Sequence, residues 1–332
     1  MKIFYKRSIW VMLTVYLILW LIVTLVAGNV LESYKKVINT TLGLTGFRME
    51  TIDPEGMKNA DLEYYKSAYV KSEDGEILYE TDEETGYRHS VYDDEALHLA
   101  DVATADRIQR EGSTLLWNSD SNGLPLSGNA KVSLFSRSSV SWGYSGGGSG
   151  AARQGVDMKQ AMEAAGVQVN PDLWDFYDTG AGSAYERVGM YTMNEVPWSV
   201  YTDTVKDSFD DFGDAAIIVF TRLTREGSAG GASADVTQNA ADTATGDYMD
   251  LSPQEETLIN EVVALKKAGT FKKVIVLLNT PAGIFMDSLV ARQNDIDCCM
   301  WVGQTGWEGL NEVARIISGA SIPSGHLADT FA

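Results

Sequence analysis

A carboxyl group placed just past the end of a buried strand can give a proton to a bound ligand or take one from it. Glu226 has that setting. It follows the run Ala215-Ala216-Ile217-Ile218-Val219-Phe220, which is short, continuous and bounded by Gly213 and Thr221. A run of that kind, rich in branched residues, reads as a strand covered on both faces of a parallel sheet. Ligands of open α/β sheets bind beyond the carboxyl ends of the strands, where Thr221-Arg222-Leu223-Thr224-Arg225-Glu226-Gly227-Ser228 would lie. A stretch dominated by Ala, Gly, Ser, Thr and Asp then leads to Gly246-Asp247-Tyr248-Met249-Asp250-Leu251-Ser252-Pro253. Glu226 is therefore a candidate proton donor, with Arg222 and Arg225 as candidate substrate-binding cations. The plain structural alternative is an exposed loop Glu226 paired with Arg222 or Arg225, since surface ion pairs are common.

A second constellation competes with it. Gly143-Tyr144-Ser145-Gly146-Gly147 satisfies the Gly-x-Ser-x-Gly pattern of a nucleophile elbow, and Asp297 and His326 follow in the order a serine hydrolase would need. An elbow puts its serine on a sharp turn directly between strand and helix. Ser145 instead lies nine residues past Ser136. The glycine-rich run continues through Ser149-Gly150 without the Lys-Ser/Thr ending of a phosphate cradle, and it also misses the dinucleotide spacing. The remaining reading is a loop whose glycines allow close backbone approach beside a cleft. Glu308, in the turn Trp307-Glu308-Gly309, is a further carboxyl group to test should Glu226 fail.

Composition narrows the classes. A formal charge of -20 argues against nucleic acid, whose phosphates need a basic face. Cys298 and Cys299 are adjacent in the strand-like run Ile296 to Trp301, where side chains alternate between faces and cannot pair in ordinary disulfide geometry. They read as buried, inert thiols. No zinc-type Cys/His spacing, cofactor motif, internal repeat or heptad run appears, so no cofactor and no metal are expected.

The elements that would position these residues begin at the amino terminus. Ile9 to Ala27 is an unbroken run of nineteen uncharged residues preceded by Lys2, Lys6 and Arg7. About twenty residues span a membrane, so this run reads as a transmembrane anchor with a cytoplasmic tail at 1–8, a cleaved signal peptide being the rival. The basic flank would stay cytoplasmic and place the remainder, with 23 basic against 46 acidic residues, outside the cell membrane. Residues 28–92 are polar and acidic and read as a stem with short helices. Residues 93–332 carry the core. Asp93 or Asp94 opens a helix to Arg110 or Glu111, and Lys131 to Ser136 is a strand. A helix at about Val156 to Ala165 ends at Gly166. A short strand at Gly166 to Pro171 and a turn or helical extension at Asp172 to Tyr177 follow. Val200 to Phe212 reads as a helix. Ser252-Pro253-Gln254-Glu255 combines a serine N-cap, proline at N1 and glutamate at N3, and its helix runs to Ala268. Lys273 to Asn279 and Ile296 to Trp301 are strands, while Phe285 to Arg292 and Glu308 to Ile317 are helices. Alternation of this kind implies crossover units, hence an α/β fold with a mostly parallel sheet sandwiched between helices. The cluster Trp174, Phe176, Tyr177, Tyr185, Tyr191 and Trp198 could stack on sugar rings, but packing at a domain edge is the simpler role.

The segment Arg222 to Gly227, with Gly246-Asp247-Tyr248 and Leu251-Ser252 after it, resembles the acid/base loop of glycoside hydrolase family 3. Members of the β-glucosidase type carry Glu-Gly there with an Asp soon after, a place that Ser228-Ala229 takes in this chain. Four more segments match in order: Glu111 to Asn118 before Leu124-Pro125-Leu126, Lys131 to Arg137, Lys273 to Asn279, and Trp301 to Gly309 leading to Pro323-Ser324-Gly325-His326-Leu327. The resemblance implies the family's C-terminal α/β-sandwich domain and retaining hydrolysis of a β-linked glycoside or oligosaccharide. In that chemistry an Asp of a (β/α)8 barrel attacks the anomeric carbon, and Glu226 protonates the leaving oxygen and later activates water. A barrel needs at least ~200 residues and residues 28–92 cannot hold one. Some members place the sandwich before the barrel, so the chain is expected to be the leading part of such an enzyme and inactive alone. The alternative is an anchored, non-catalytic carbohydrate-binding or scaffolding domain.

Overall fold

The structure, a computed structural model, describes residues 9–24, 69–81, 86, 88–91, 93–119, 123–146, 155–185, 194–223, 249–281, 283–328 and 331. The chain divides into two compact units, Met1–Asp93 and Asp94–Ala332.

In the first unit, residues 9–24 form helix α1, its side chains exposed. Among the described residues no helix is long and apolar enough to cross a membrane. The span expected over Ile9 to Ala27 is thus described as helix only over 9–24, and 25–27 lie outside the described residues. Where short helices were expected in the stem, the described residues instead form a hairpin. Strands β1 (Tyr79–Thr81) and β2 (Arg88–Ser90) pair antiparallel, with Tyr79 opposite Ser90. A bridge between Lys71 and Ile77 closes a tight turn in which Gly75 has φ 84°, a conformation that glycine adopts freely.

The second unit is built on six strands: β3 (Thr114–Asn118), β4 (Lys131–Phe135), β5 (Gln168–Val169), β6 (Ala215–Thr221), β7 (Val274–Asn279) and β8 (Cys298–Trp301), in the order β3-β8-β7-β6-β4-β5. All neighbours are parallel except the edge strand β3, which runs antiparallel to β8. The expected parallel α/β sandwich is therefore observed. Seven consecutive buried residues make β6 a central strand.

The period-2 alternation of the strands divides the core into two layers. Val132, Leu134, Ile217, Val219, Ile275, Leu277, Cys298 and Met300 face one cluster, which α3 (Met158–Ala164) and α8 (Gly309–Ser318) cover with residues such as Met158, Met162, Val313 and Ile317. Phe135, Ile218, Phe220, Val276, Leu278 and Cys299 face the other. That layer is covered by α4 (Pro171–Asp178), α5 (Asp203–Asp207), α6 (Pro253–Ala268) and α7 (Asp287–Ala291). Adjacent cysteines thus serve opposite layers. Burial pushes the Cys298 thiol up to about 12 and raises that of Cys299 well above its usual range, as expected of inert core thiols.

Helix ends follow local chemistry. Ser252 and Glu255 form the expected capping box of α6, whose C-cap Gly269 has φ 94°, and Gly319 ends α8 with φ 80°. The helix expected over Val200 to Phe212 shrinks to Asp203–Asp207, because the Thr202 hydroxyl accepts from Val205 N and starts it late. Phe285 to Arg292 likewise shortens to α7. Helix α2 (Asp94–Gly112) carries Asp94 and Glu95 in its first turn and Arg110 in its last, signs that suit the helix dipole.

Candidate active site

The carboxyl ends of β4, β6, β7 and β8 lie side by side, as their register requires. The two central strands end on polar residues, β6 on Thr221 and β7 on Asn279, and polar groups there and in the adjoining loops organise the edge.

Asn279, the last residue of β7, is fully buried and its side chain makes four hydrogen bonds. Its Oδ1 accepts from Gly143 N at 2.7 Å and Thr221 Oγ1 at 3.0 Å, while its Nδ2 donates to Gly143 O at 3.0 Å and Gly303 O at 2.6 Å. One side chain thereby ties the ends of β6 and β7 to the glycine-rich segment after β4 and the turn after β8. A Cβ on Gly143 would lie 2.8 Å from Asn279 Oδ1, so the glycine permits the close approach expected of this segment. The same segment is held further along. Trp142 Nε1 donates to Thr305 Oγ1 at 3.0 Å and Gly306 N to Tyr144 O at 2.8 Å. Gly155 packs so closely on Trp307 that a Cβ would fall 1.9 Å from its carbonyl oxygen.

Beyond β4, Ser136 adopts φ 82° and its N–H donates to Tyr177 Oη at 2.9 Å. Glu195, 3 % exposed, accepts from Arg137 N at 3.1 Å and Val196 N at 2.8 Å. Burial pushes its carboxyl up to about 7, against the opposing pull of hydrogen bonds from Ser136 and Val196. The Tyr177 and Tyr201 hydroxyls bond each other beside it, and burial raises both.

Past β6, Arg222 is 1 % exposed and Glu255 is 0 % exposed. Arg222 Nη1 donates to Glu255 Oε1 at 3.0 Å and Nη2 to Oε2 at 2.9 Å, a bidentate ion pair. Nη1 also reaches Thr221 O at 3.1 Å and Nη2 reaches Asp250 O at 2.5 Å. Arg222 is thus placed inside the domain wall, its guanidinium held by Glu255 and backbone carbonyls. Arg225 and Glu226 lie outside the described residues, as does the rest of 224–248.

The serine-hydrolase constellation is not assembled. Asp297 sits just before β8, at the opposite, amino end of the parallel strands, and accepts from Lys266 Nζ at 2.6 Å and Val274 N at 2.7 Å. Ser145 Oγ donates to Gly146 O at 3.3 Å, and His326 is exposed in a segment whose neighbour Gly325 bonds Ser113 O. Glu308 is half-buried at the N-cap of α8, where Asn311 Nδ2 reaches it at 3.4 Å. Of the aromatic cluster, Trp174, Phe176 and Tyr177 are buried and Trp198 stacks on Tyr201, so packing is their described role. Tyr191 lies outside the described residues.

Sequence reasoning did not single out Asn279 or Glu195, and it read Glu255 only as part of a helix cap. Each carries a signal in retrospect: an amide closing an otherwise apolar strand, and a lone acid among Val, Pro and Trp.

Comparison with known proteins converges on one family. A family model, the glycosyl hydrolase family 3 C-terminal domain, matches residues 113–332. The chain is 26 % identical over 240 residues to beta-glucosidase A of Butyrivibrio fibrisolvens, covering 67 % of this chain and 27 % of that protein. It is 27 % identical over 241 residues to a beta-glucosidase of Ruminococcus albus, covering 69 % and 22 %. The chain therefore spans about a quarter of the length of these curated relatives. Among solved structures, a beta-glucosidase from Paenibacillus barengoltzii superposes with TM-score 0.54 at 26 % identity, covering 70 % of this chain and 24 % of that one. Beta-glucosidase 3B from Thermotoga neapolitana in complex with glycerol gives TM-score 0.56 at 25 % identity, covering 71 % and 31 %.

Proposed function

Because the chain belongs to glycosyl hydrolase family 3, whose C-terminal domain residues 113–332 match, we propose that it serves the retaining hydrolysis of β-linked glycosides and supplies Glu226 as the acid/base. Position carries this reading: β6 ends at Thr221 on the carboxyl edge of the parallel sheet, and Glu226 follows within the next few residues of chain.

The chemistry needs two carboxyl groups. Retention requires them about 5–5.5 Å apart, one attacking the anomeric carbon and the other protonating the departing oxygen. In this reading the nucleophile is an Asp of a (β/α)8 barrel outside these 332 residues, and the sandwich alone turns over no glycoside. Glu226 would donate its proton as the glycosidic bond breaks. It would then take a proton from the water that releases the sugar, so it must be protonated when substrate binds. Arg225 would contact substrate hydroxyls beside it. No cofactor is assigned a step. The apolar amino-terminal run would anchor the protein in the cell membrane with residues 28–332 outside.

The test is the leaving-group dependence of Glu226→Ala in a catalytically active protein that contains this chain. A general acid typically contributes about 10²–10⁴-fold, and a good leaving group needs little protonation. The variant should therefore lose far more activity on alkyl or disaccharide substrates than on activated aryl glycosides. Equal loss on both would remove Glu226 from the role and direct the same test to Glu308.

A further inference from the structure

We propose that Arg222 and Glu255 form a positioning pair that fixes where the chain leaves β6 and re-enters α6, and so aims the intervening segment that carries Glu226. The proposal rests on the acid/base reading of that residue. The pair joins residue 222 to residue 255, which closes the chain between them at its base.

Three contacts from its side chains to backbone, beside the Ser252 cap on Glu255 N, distinguish this pair from a space-filling one. On the β6 side, Arg222 Nη1 holds Thr221 O at 3.1 Å. On the α6 side, Arg222 Nη2 holds Asp250 O at 2.5 Å, Glu255 Oε2 accepts from Ser252 N at 2.8 Å, and Glu255 N donates to Ser252 Oγ at 3.2 Å. A buried ion pair loses hydration on both partners, and well-packed apolar residues often match it in stability. Apolar residues cannot hold carbonyl and N–H groups on both sides of a loop in fixed directions. The planar guanidinium fork can, and a lysine ammonium cannot reproduce it. Misplacing a catalytic group by about 1 Å can cost roughly 10²-fold in rate, so the geometry at the base of this segment is the quantity the pair controls.

Trypsin digestion of the full chain, with cleavage after Arg225 followed by mass spectrometry beside a urea melt, separates positioning from stability. The double variant Arg222→Met/Glu255→Leu keeps apolar packing. Its urea midpoint should fall, because Thr221 O, Asp250 O and Ser252 N lose their side-chain partners. Under conditions where it stays folded, it should be cut after Arg225 about tenfold faster or more than the unaltered chain, because local opening no longer has to break the fork. Arg222→Lys should also be cut faster, and Glu255→Gln less so, since it retains an acceptor. Should the double variant fold poorly, amide exchange at Leu223, Met249 and Asp250 in Glu255→Gln decides: faster exchange there with an unchanged midpoint supports the pair, and unchanged exchange overturns it. Unchanged cleavage after Arg225 in any folded variant also overturns it. In an active protein containing this chain, Arg222→Lys should lower kcat about 10²-fold on poor leaving groups, with KM within about twofold. Equal losses on good and poor leaving groups would reduce the pair to a structural role. If Glu226→Ala itself shows no leaving-group dependence, the acid/base reading falls on that result, while the pair is still judged by the trypsin experiment.

Discussion

At the residue scale, the carboxyl edge is organised by buried polar side chains hydrogen-bonded to backbone and to one another, and Glu195 shows what this costs. Its carboxyl is pushed up to about 7 by burial first, with the nearby Glu255 charge adding to the effect. Between the ordinary carboxylate value and about 7 the folded chain holds a proton that the unfolded chain has released. Stability must therefore fall as pH rises through that window, by on the order of 3 kcal/mol at most. Glu195→Gln keeps an acceptor for Arg137 N and Val196 N but cannot ionise. Urea melts at a series of pH values should show this decline in the unaltered chain and a flatter profile in Glu195→Gln, with the variant the more stable of the two above pH about 7. Identical profiles would mean that Glu195 does not titrate in this range.

At the element scale, the strands and helices of residues 94–332 follow from periodicity and caps, and the site follows from neither. The buried runs of β6, β7 and β8, the Ser252–Glu255 box and the glycines at 269 and 319 are local signals, legible because one residue's chemistry decides each. Strand β3 escaped assignment because an exposed Leu115 and a register shift between Leu115 and Trp117 blur its alternation. The hairpin of the first unit was hidden in acidic sequence. The roles of Asn279 and Arg222 depend on partners 136 and 33 residues away, which no window along the chain contains. The close approach of Gly143 follows the reading of this segment, 147–150 of the glycine-rich run lie outside the described residues, and the seat of Gly155 can be tested. Gly155→Ala should lower stability by about 1–3 kcal/mol, because its Cβ would meet the Trp307 carbonyl. Gly128→Ala, with open space around it, should change the urea midpoint little. Equal effects would mean that the contact between Gly155 and Trp307 does not hold the segment.

At the scale of the whole molecule, the proposed function has residues 94–332 supply a sheet edge to a reaction whose nucleophile lies elsewhere. Residues 28–332 alone should therefore release no measurable product from aryl β-glucosides, and robust turnover by them would refute the two-carboxylate division of labour. The charge asymmetry around Ile9 to Ala27 bears on topology. Protease added outside cells should digest the chain beyond Gly28 and spare the amino terminus, whereas a soluble product starting near Gly28 would establish a cleaved signal. The most direct measurement of the central claim is azide rescue of Glu226→Ala in an active protein containing this chain, with activated aryl glucosides as substrate. Loss of the base should let the glycosyl-enzyme accumulate, and azide, which attacks without a base, should restore turnover and yield a β-glycosyl azide. Turnover that azide leaves unchanged, with no glycosyl azide formed, would contradict the assignment of Glu226 as the acid/base.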